Sequence, residues 1–351
     1  MRLADLTDRA GEWLRGEGPM HDIVISSRIR LARNLASMPF LTACSEDQQR
    51  QIAAQLREEI LAAALETDMF YVDIGRASQT DRQLLVERHL ISRQLAEGEH
   101  PRGVAVAEDE SVAIMVNEED HLRIQVLRCG LQLDRAVEEI NRIDDKLSEH
   151  LDYAFHSRYG YLTACPTNVG TGLRVSVMLH LPALKMSGQI EKTFRAAKDM
   201  KLAIRGLYGE GTEASGDFFQ ISNQTTLGKE EGQIVEEFVK STIPQFIQYE
   251  ARARKGLLAD NSLGIDDKAC RSISLLRSAR TISSEETMYL LSLVRLGVNM
   301  GRISEVDMST INELFLLTQP AHLQRILGKE MDARERGEAR ATYIRKRLGS
   351  D

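Results

Sequence analysis

Five arginines stand where strand patterning would set them on neighbouring strands. Arg28 and Arg30 alternate on one face of the segment 22–33. Arg123 ends the run Asn117-Glu118-Glu119-Asp120-His121-Leu122-Arg123. Arg174 opens a strand after a glycine-rich loop, and Arg205 closes another just before Gly206. A guanidinium is a planar fork of N–H donors that grips phosphate oxygens in pairs. Five such forks on one sheet would clamp a triphosphate and neutralise the charge on a transferring phosphoryl group, which is most of what phosphoryl transfer requires. Two carboxylates flank the set: Glu119, four residues before Arg123, and Glu210, five after Arg205. Such a pair would hold a cationic acceptor and remove its proton. Cys165 opens the loop Cys165-Pro166-Thr167-Asn168-Val169-Gly170-Thr171-Gly172. A lone cysteine is more often a small buried hydrophobe, although nearby arginines would favour its thiolate. Each residue taken singly also reads as a solvated arginine or an exposed loop glutamate; the set carries the argument. Familiar nucleotide machinery is missing: there is no G-x-x-x-x-G-K-[ST] loop, no H-R-D and no D-F-G.

The elements that must position these residues follow from periodicity. Residues 3–15 suggest a short amphipathic helix, and 22–33 a strand with Val24, Ser26, Arg28 and Arg30 on one face. Ser45-Glu46-Asp47-Gln48 is a capping-box start for a helix over 46–66. Strands are expected at 69–74, 121–129, 158–163, 173–181, 200–206 and 216–224, with a hairpin over 103–117 turning at Glu108-Asp109-Glu110. Leu133, Val137, Ile140, Ile143 and Leu147 stripe a helix over 132–151, and a long helix over 229–254 would cover the sheet. Strands come in groups with helices between the groups, which favours an α+β fold over a doubly wound one. After about residue 255 only helical patterns remain, one starting at Ser283-Ser284-Glu285-Glu286, another capped by Ser309, and a last one after a break at Pro320.

The chain of 351 residues is 42% hydrophobic and 28% charged, the profile of a globular protein of about two domains. The division expected is a short helical segment at 1–20, a catalytic domain at 21–255 and a helical domain at 256–351. A net charge of −7 argues against nucleic-acid binding through bulk electrostatics, although residues 321–351 carry 8 Lys/Arg against 5 Asp/Glu. Cys44, Cys129, Cys165 and Cys270 form no CxxC pair, so neither a metal site nor a disulfide framework is indicated. There is no apolar run of membrane-spanning length, and the charged start lacks the core of a signal peptide, so a cytoplasmic protein is expected.

Taken in order, Ser26-Ser27-Arg28-Ile29-Arg30, Asn117 to Arg123, Cys165 to Gly172 with Arg174, and Arg205 to Glu210 resemble the phosphagen (guanidino) kinases, and among them the bacterial protein-arginine kinases of the McsB type. The resemblance spans about residues 22–254. It implies an antiparallel sheet flanked by helices, as in glutamine-synthetase-like folds, and ATP with Mg2+ as phosphoryl donor. It implies that Arg28, Arg30, Arg123, Arg174 and Arg205 bind the nucleotide phosphates. Ser26, Ser27 and Ile29, then Val175, Ser176, Val177 and Met178, and Gly206, Leu207, Tyr208, Gly209 and Glu210 would line the nucleotide site with them. His89 matches a histidine near the nucleotide, although a core histidine is an equal reading of the residue itself. Glu119 and Glu210 would grip the acceptor guanidinium, with Cys165 beside it.

The resemblance also guides the choice of acceptor. Kinases of free arginine or creatine carry a helical domain before the Ser-Ser-Arg-Ile-Arg-type strand; here that motif starts at Ser26, and a helical extension follows residue 255 instead. Arginine side chains of proteins are therefore the expected substrate, possession of a small-guanidine activity or a non-catalytic phosphoarginine-binding adaptor being the alternatives. Further implied are protein substrates such as a DNA-binding repressor, marking for a Clp-type protease in stress response, a small zinc-binding activator and a homodimer. McsB-type proteins share an R-D-x-x-R-A motif that binds phosphoarginine; Arg336, Gly337, Arg340 and Ala341 match it, with glycine at the aspartate position, so allosteric control by phosphoarginine is expected to be weaker or altered.

Overall fold

The computed structural model describes residues 6, 10–63, 65, 68–207 and 215–349. Its centre is one antiparallel sheet of eight strands. In chain order these are β1 (Val24–Arg33), β2 (Met69–Asp73), β3 (Gly103–Ala107), β4 (Val112–Val116), β5 (Leu122–Cys129), β8 (Leu173–His180), β9 (Leu202–Gly206) and β10 (Phe218–Asn223). A separate two-stranded hairpin, β6 (Phe155–His156) and β7 (Gly160–Tyr161), stands between β5 and β8 in sequence. The sheet order is β2-β3-β4-β5-β1-β8-β10-β9, so β1 is central, with β5 on one side and β8 on the other.

Period-two alternation gives the sheet two different faces. On one face Ile29, Leu31, Ile114, Val116, Ile124, Val126, Val175, Val177 and Ile221 meet three helical coverings. These are α1 (Glu46–Ala62), α4 (Leu133–Ser148), and the pair α7 (Glu231–Glu237) and α8 (Ile243–Ser278). Each fully buried aliphatic side chain there contributes roughly 1.5–3 kcal/mol. On the other face α2 (Gln79–Glu87) and α3 (Arg93–Glu97) pack Leu85, Val86, Leu90 and Leu95 against Val104, Val106, Ala113 and Met115. Farther along it, Trp13, Leu127, Met178 and Phe218 meet α9 (Ser284–Asn299), α10 (Met308–Leu317) and α12 (Ala333–Arg347). Three further helices, α5 (Pro182–Met186), α6 (Ile190–Asp199) and α11 (Pro320–Leu327), complete the fold.

The α+β expectation holds, and several details differ. Of 3–15, the described part holds only a 3-10 turn at Glu12–Leu14. The strand expected over 158–163 shrinks to β7, because Gly160 takes a left-handed turn and Tyr161 bridges to Gly170 rather than to the main sheet. The helix expected over 229–254 is interrupted by a π-helical turn at Phe238–Thr242, just before Pro244, which has no N–H to donate. It then continues to Ser278, with non-helical backbone at Asn261. Asp307, not Ser309, caps α10, accepting the Thr310 N–H at 2.6 Å. Pro320 is not a simple break before the last helix but occupies the first turn of an additional helix, α11, where the missing donor costs nothing.

The loop 164–172 is held by a buried ion pair behind the sheet. Arg33, 1% exposed, donates through Nε and Nη2 to Asp144 Oδ2 of α4 at 3.1 and 2.7 Å. Its Nη1 donates to Thr171 O at 2.9 Å, and the guanidinium lies 3.6 Å over the Tyr161 ring. Removing one partner strands the other charge in the interior. Arg33→Ala is expected to lower the unfolding free energy by roughly 3–5 kcal/mol, read as a shift in the urea midpoint; a loss below about 1 kcal/mol, the worth of a surface pair, would refute the role given to it.

Candidate active site

Register decides which arginines meet. Arg30 stands opposite Arg174 of β8 and Gln125 of β5, Ala32 opposite Arg123, and Arg28 opposite Ser176. Ser26 stands opposite Met178, Met178 opposite Gln220, and Gln220 opposite Arg205. Residues opposed across antiparallel strands share a face, so all five arginines project from the face opposite the main core. Ser26, Ser176 and Met178 share that face. The side chains of Ile29, Val175 and Val177, expected in the nucleotide site, point into the core instead, and Ser27 Oγ donates to Gly130 O behind the sheet.

The arginine cluster is buried and rich in like charge. Burial first, then Arg123, Arg174 and Arg205, push the pKa of Arg28 down to about 9, which still leaves it charged at neutral pH. Arg30 is pushed well below the guanidinium range by burial and then by Arg123, Arg28 and Arg174. Arg28 Nε reaches Ser176 Oγ at 3.4 Å, and Arg174 Nη2 donates to Ser222 Oγ at 3.2 Å. The nearest carboxylate, Glu118, accepts from Arg123 Nη1 and from Ser92 Oγ, and those bonds and the Arg123 charge hold it below the usual range despite its burial. Arg30 Nε and Nη2 and Gln220 Nε2 are buried without a hydrogen-bond partner among the described residues. Buried donors without acceptors are unfavourable, and the oxygens of a polyphosphate are acceptors of the right charge.

Two sizeable cavities open on this face. The smaller, about 280 Å³, is lined by Arg28, Arg30, His89, Ser92, Arg123, Gln125, Arg205 and Leu207. His89 adopts a left-handed backbone (φ 59°), and its ring stands edge-on to Trp13 at 4.5 Å. Burial and then Arg28 hold its pKa down at about 3, so the ring is neutral. The larger cavity, about 930 Å³, is lined by Glu119, Cys165, Asn168, Arg174, Phe194 and Gly206 among others. Gln94, Arg123 and Arg205 line both cavities. A group at their junction would lie under two guanidinium ions.

Glu119 and Cys165 are brought together by a neighbour of each. The β4–β5 turn is set by left-handed Asn117, whose Nδ2 donates to Gln49 O and Pro101 O at 2.8 and 2.9 Å. Asp120 Oδ1 accepts from Asn34 Nδ2 at 2.6 Å and from the backbone N–H of Ala164 at 2.7 Å. The acidic turn is thus tied to the residue preceding Cys165. Cys165 Sγ lies 3.0 Å from Thr167 Oγ1. Burial raises the Glu119 pKa, Asp120 and Glu118 raise it further, and Arg123 and Arg174 oppose them. Tyr208, Gly209 and Glu210 lie outside the described residues.

The C-terminal motif lies apart from both cavities, on α12. Arg340, 3% exposed, donates through Nε to Thr318 O at 2.8 Å and through Nη1 to Ile282 O at 2.9 Å. Arg336 Nη1 donates to Met331 O at 2.6 Å. Gly337 O accepts the Ile282 N–H at 3.2 Å, and a Cβ on Gly337 would come within 2.7 Å of Thr281 Oγ1. The glycine permits this close approach. Ala341 is fully buried.

Sequence reasoning passed over Trp13, Ser92, Gln94, Glu118, Gln125 and Gln220, all of which line this face. Gln125 was legible in principle, since it stands in strand alternation with Arg123, whereas Gln220 joins the cluster through its register with Arg205. Ser92 and Gln94 come from the cap and first turn of α3, which reaches the site only through tertiary packing.

With the geometry in hand, comparisons with known proteins agree among themselves. Residues 51–253 match the family model of the ATP:guanido phosphotransferase C-terminal catalytic domain, and residues 262–351 that of the protein-arginine kinase McsB C-terminal domain. The chain is 47% identical over 352 residues to a protein-arginine kinase of Symbiobacterium thermophilum, covering 99% of each. It is 44% identical over 349 residues to one of Halothermothrix orenii, again covering 99% of each. Among solved structures it resembles the duplicated taurocyamine kinase of Schistosoma mansoni with bound transition-state analogue components, with a TM-score of 0.61 and 25% identity, over 69% of this chain and 34% of that one. A lombricine kinase shares the fold with a TM-score of 0.57 and 24% identity, over 72% of this chain and 71% of the other.

Like charges packed without an anion make the free protein less stable than its anion complex. Inorganic triphosphate is expected to raise Tm in thermal unfolding, by the equivalent of about 2.7 kcal/mol at a hundredfold excess over Kd. Arg30→Met removes one of the repelling charges at similar volume. It is expected to raise Tm without triphosphate and to abolish most of the anion-induced rise; a lower Tm together with an unchanged anion response would contradict the clamp.

Proposed function

The chain belongs to the ATP:guanido phosphotransferase family, within its protein-arginine kinases, and on that premise we propose which residues perform each part of the reaction. It is a phosphotransferase that transfers a phosphoryl group from ATP to arginine side chains of proteins. ATP occupies the smaller cavity beside His89, Trp13 and Ser26, with its phosphates under Arg28, Arg30, Arg123, Arg174 and Arg205. We place Mg2+ on the phosphates of the nucleotide, where it adds to charge neutralisation. The acceptor guanidinium enters the larger cavity against Glu119, Cys165 and Glu210. What supports this reading above all is that the two cavities meet at Arg123 and Arg205, with Glu119 and Cys165 on the far side.

The chemistry follows from charge. A free guanidinium stays protonated and is a poor nucleophile, with a pKa above ~12. Glu119 and Glu210 orient it and accept a proton as its nitrogen forms a bond to the γ-phosphorus and the bond to the ADP oxygen breaks. Alignment of nitrogen and phosphorus supplies roughly 7–11 kcal/mol of the barrier reduction. Cys165 sits beside the guanidinium and helps position it. The guanidinium clamp offsets the charge on the equatorial oxygens.

The wider reading is proposed on the same footing. The division into residues 1–20, 21–255 and 256–351, a cytoplasmic location and a homodimer are parts of it. So are substrates such as a DNA-binding repressor, hand-over to a Clp-type protease and a small zinc-binding activator. Among the described residues there is no helix long and apolar enough to cross a membrane. Arg336 and Arg340 form the phosphoarginine site, with weaker control because Gly337 offers no carboxylate. Phosphoarginine is expected to alter activity in the wild type and not in Arg336→Ala; an identical response in both would remove the site from the account.

The test of the main reading is mass spectrometry at neutral to basic pH, because the N–P bond is acid-labile. Incubation with ATP and magnesium is expected to leave phosphoarginine on an arginine-rich protein. Label confined to free arginine would overturn the protein-kinase assignment. Glu119→Gln and Glu210→Ala should each cut turnover by roughly 10²–10⁴-fold. The raised pKa of Glu119 fixes the sign of the pH response: activity that needs its carboxylate falls as pH drops through a value above the ordinary 4.5. The acid limb of kcat/KM should sit above that value in the wild type, and a limb at or below it would argue against Glu119 as the proton acceptor.

A further inference from the structure

Four ionisable side chains lie sealed where the end of α2 meets the start of α11: Glu87, Arg88, Glu110 and His322, each at most 2% exposed. Arg88 donates through Nε to Glu110 Oε2 at 2.8 Å and through Nη2 to Glu110 Oε1 at 2.5 Å. Its Nη1 meets His322 Nε2 at 3.1 Å, and His322 Nδ1 meets Glu87 Oε2 at 2.8 Å. Glu87 also accepts the backbone N–H groups of Ala321 and His322, at 2.9 and 3.2 Å, at the head of α11. An arginine can only donate, so His322 Nε2 accepts from Arg88. The ring proton then sits on Nδ1 and is donated to Glu87. His322 is therefore neutral, and both of its nitrogens are committed.

The residue after this cluster gives it meaning. His89 holds a left-handed backbone that a side-chain-bearing residue keeps only when its surroundings fix it. On one side Gln125 Nε2 donates to His89 O at 2.8 Å. On the other stands the Glu87–Arg88 pair, anchored to α11. The N-terminal segment is fitted to the Arg88–Glu110 pair: a Cβ on Gly11 would lie 2.9 Å from Glu110 Oε2, and Trp13 follows two residues later against the His89 ring.

We infer that His322, by bridging Glu87 and Arg88, is a positioning residue for nucleotide binding: it locks the end of α2 so that left-handed His89 is presented to the cavity beside Arg28. The inference rests on the reading that ATP occupies that cavity. It assigns part of the nucleotide affinity to a residue of the helical region that touches no ligand. The bridge acts on the end of α2 and not on the reacting atoms, so its loss appears as weaker ATP binding rather than slower transfer.

The experiment uses the full-length chain and three variants, His322→Ala, His322→Asn and Glu87→Gln, below their measured Tm. The only tryptophan, Trp13, stands against His89, so its fluorescence reports ATP binding directly. For His322→Ala, Kd and KM for ATP are expected to rise about tenfold, the equivalent of a lost hydrogen bond of ~1.4 kcal/mol. His322→Asn keeps a donor toward Glu87 and is expected to fall between Ala and wild type, whereas KM for the arginine acceptor and kcat stay within about twofold. A lower Tm with unchanged Kd and KM for ATP in the folded variants would make the cluster merely structural and overturn the inference. If the wild type itself showed no ATP-dependent change in Trp13 emission and no binding by calorimetry, the nucleotide reading would fall, and this one with it.

Discussion

The structure is organised around a repulsion. Five guanidinium groups project from one face of one sheet, and strand register rather than mutual attraction puts them there. Elsewhere in the chain several buried arginines are paired with carboxylates: Arg33 with Asp144, Arg88 with Glu110, Arg254 with Glu250. On the site face Glu118 answers Arg123, and it is committed to that guanidinium and to Ser92. What holds the repelling face together is the apolar face behind it, where Ile29, Val175, Val177 and Ile124 alternate with the very arginines they support. The same residues that seem wasted in a nucleotide site are the ones that make its geometry rigid. Preorganised charge of this kind needs no rearrangement when a phosphoryl group arrives.

The acidic turn Glu118-Glu119-Asp120 shows how three adjacent carboxyl groups acquire three different tasks. Glu118 is buried beside a guanidinium and is held ionised. Asp120 is spent on structure, joining Asn34 to the backbone of Ala164. Of the three, Glu119 faces the larger cavity, and burial, followed by the charges of its two neighbours, makes it a better proton acceptor than an isolated glutamate. Arg123 and Arg174 oppose that rise. Its basicity is thus a property of the turn and not of the residue.

This division of labour marks the limit of what the sequence discloses. Strand alternation, the Ser45 capping box and the spacing of Arg28, Arg30, Arg123, Arg174 and Arg205 are local patterns, and the sheet and its charged face were legible from them. The α2 and α3 helices were not, because both are short and take their stability from Val104, Val106 and Met115, which are distant in sequence. Gln94 enters the site with α3, and Trp13 through a separate set of long-range contacts with Leu127, Met178 and Phe218. The π-helical turn before Pro244 and the cap at Asp307 belong to a finer class of error, in which two neighbouring residues offer nearly the same chemistry and packing chooses between them. Glu118 stands next to Glu119, and only the direction in which the turn projects each side chain separates their surroundings.

The helical region is fastened to the sheet at two polar points rather than by apolar contact alone. Besides the Glu87–His322 cluster, His180 of β8 accepts from Arg295 of α9 at 3.2 Å and so donates through Nε2 to Ser292 Oγ at 2.9 Å, which in turn donates to Asp217 at 2.8 Å. Each of the two buried histidines is fixed in one tautomer by an arginine, and the tautomers are opposite. Such networks add little net stability relative to apolar packing, but only one arrangement satisfies all their atoms. An apolar interface tolerates sliding; a chain of directed donors and acceptors does not. Asp217 closes the 3-10 turn that leads into β10, whose Gln220 lines the arginine face, and Glu87 leads to His89. The two fastenings therefore sit on opposite sides of the site, and the pose of the helical region and the shape of the nucleotide cavity are one structural fact.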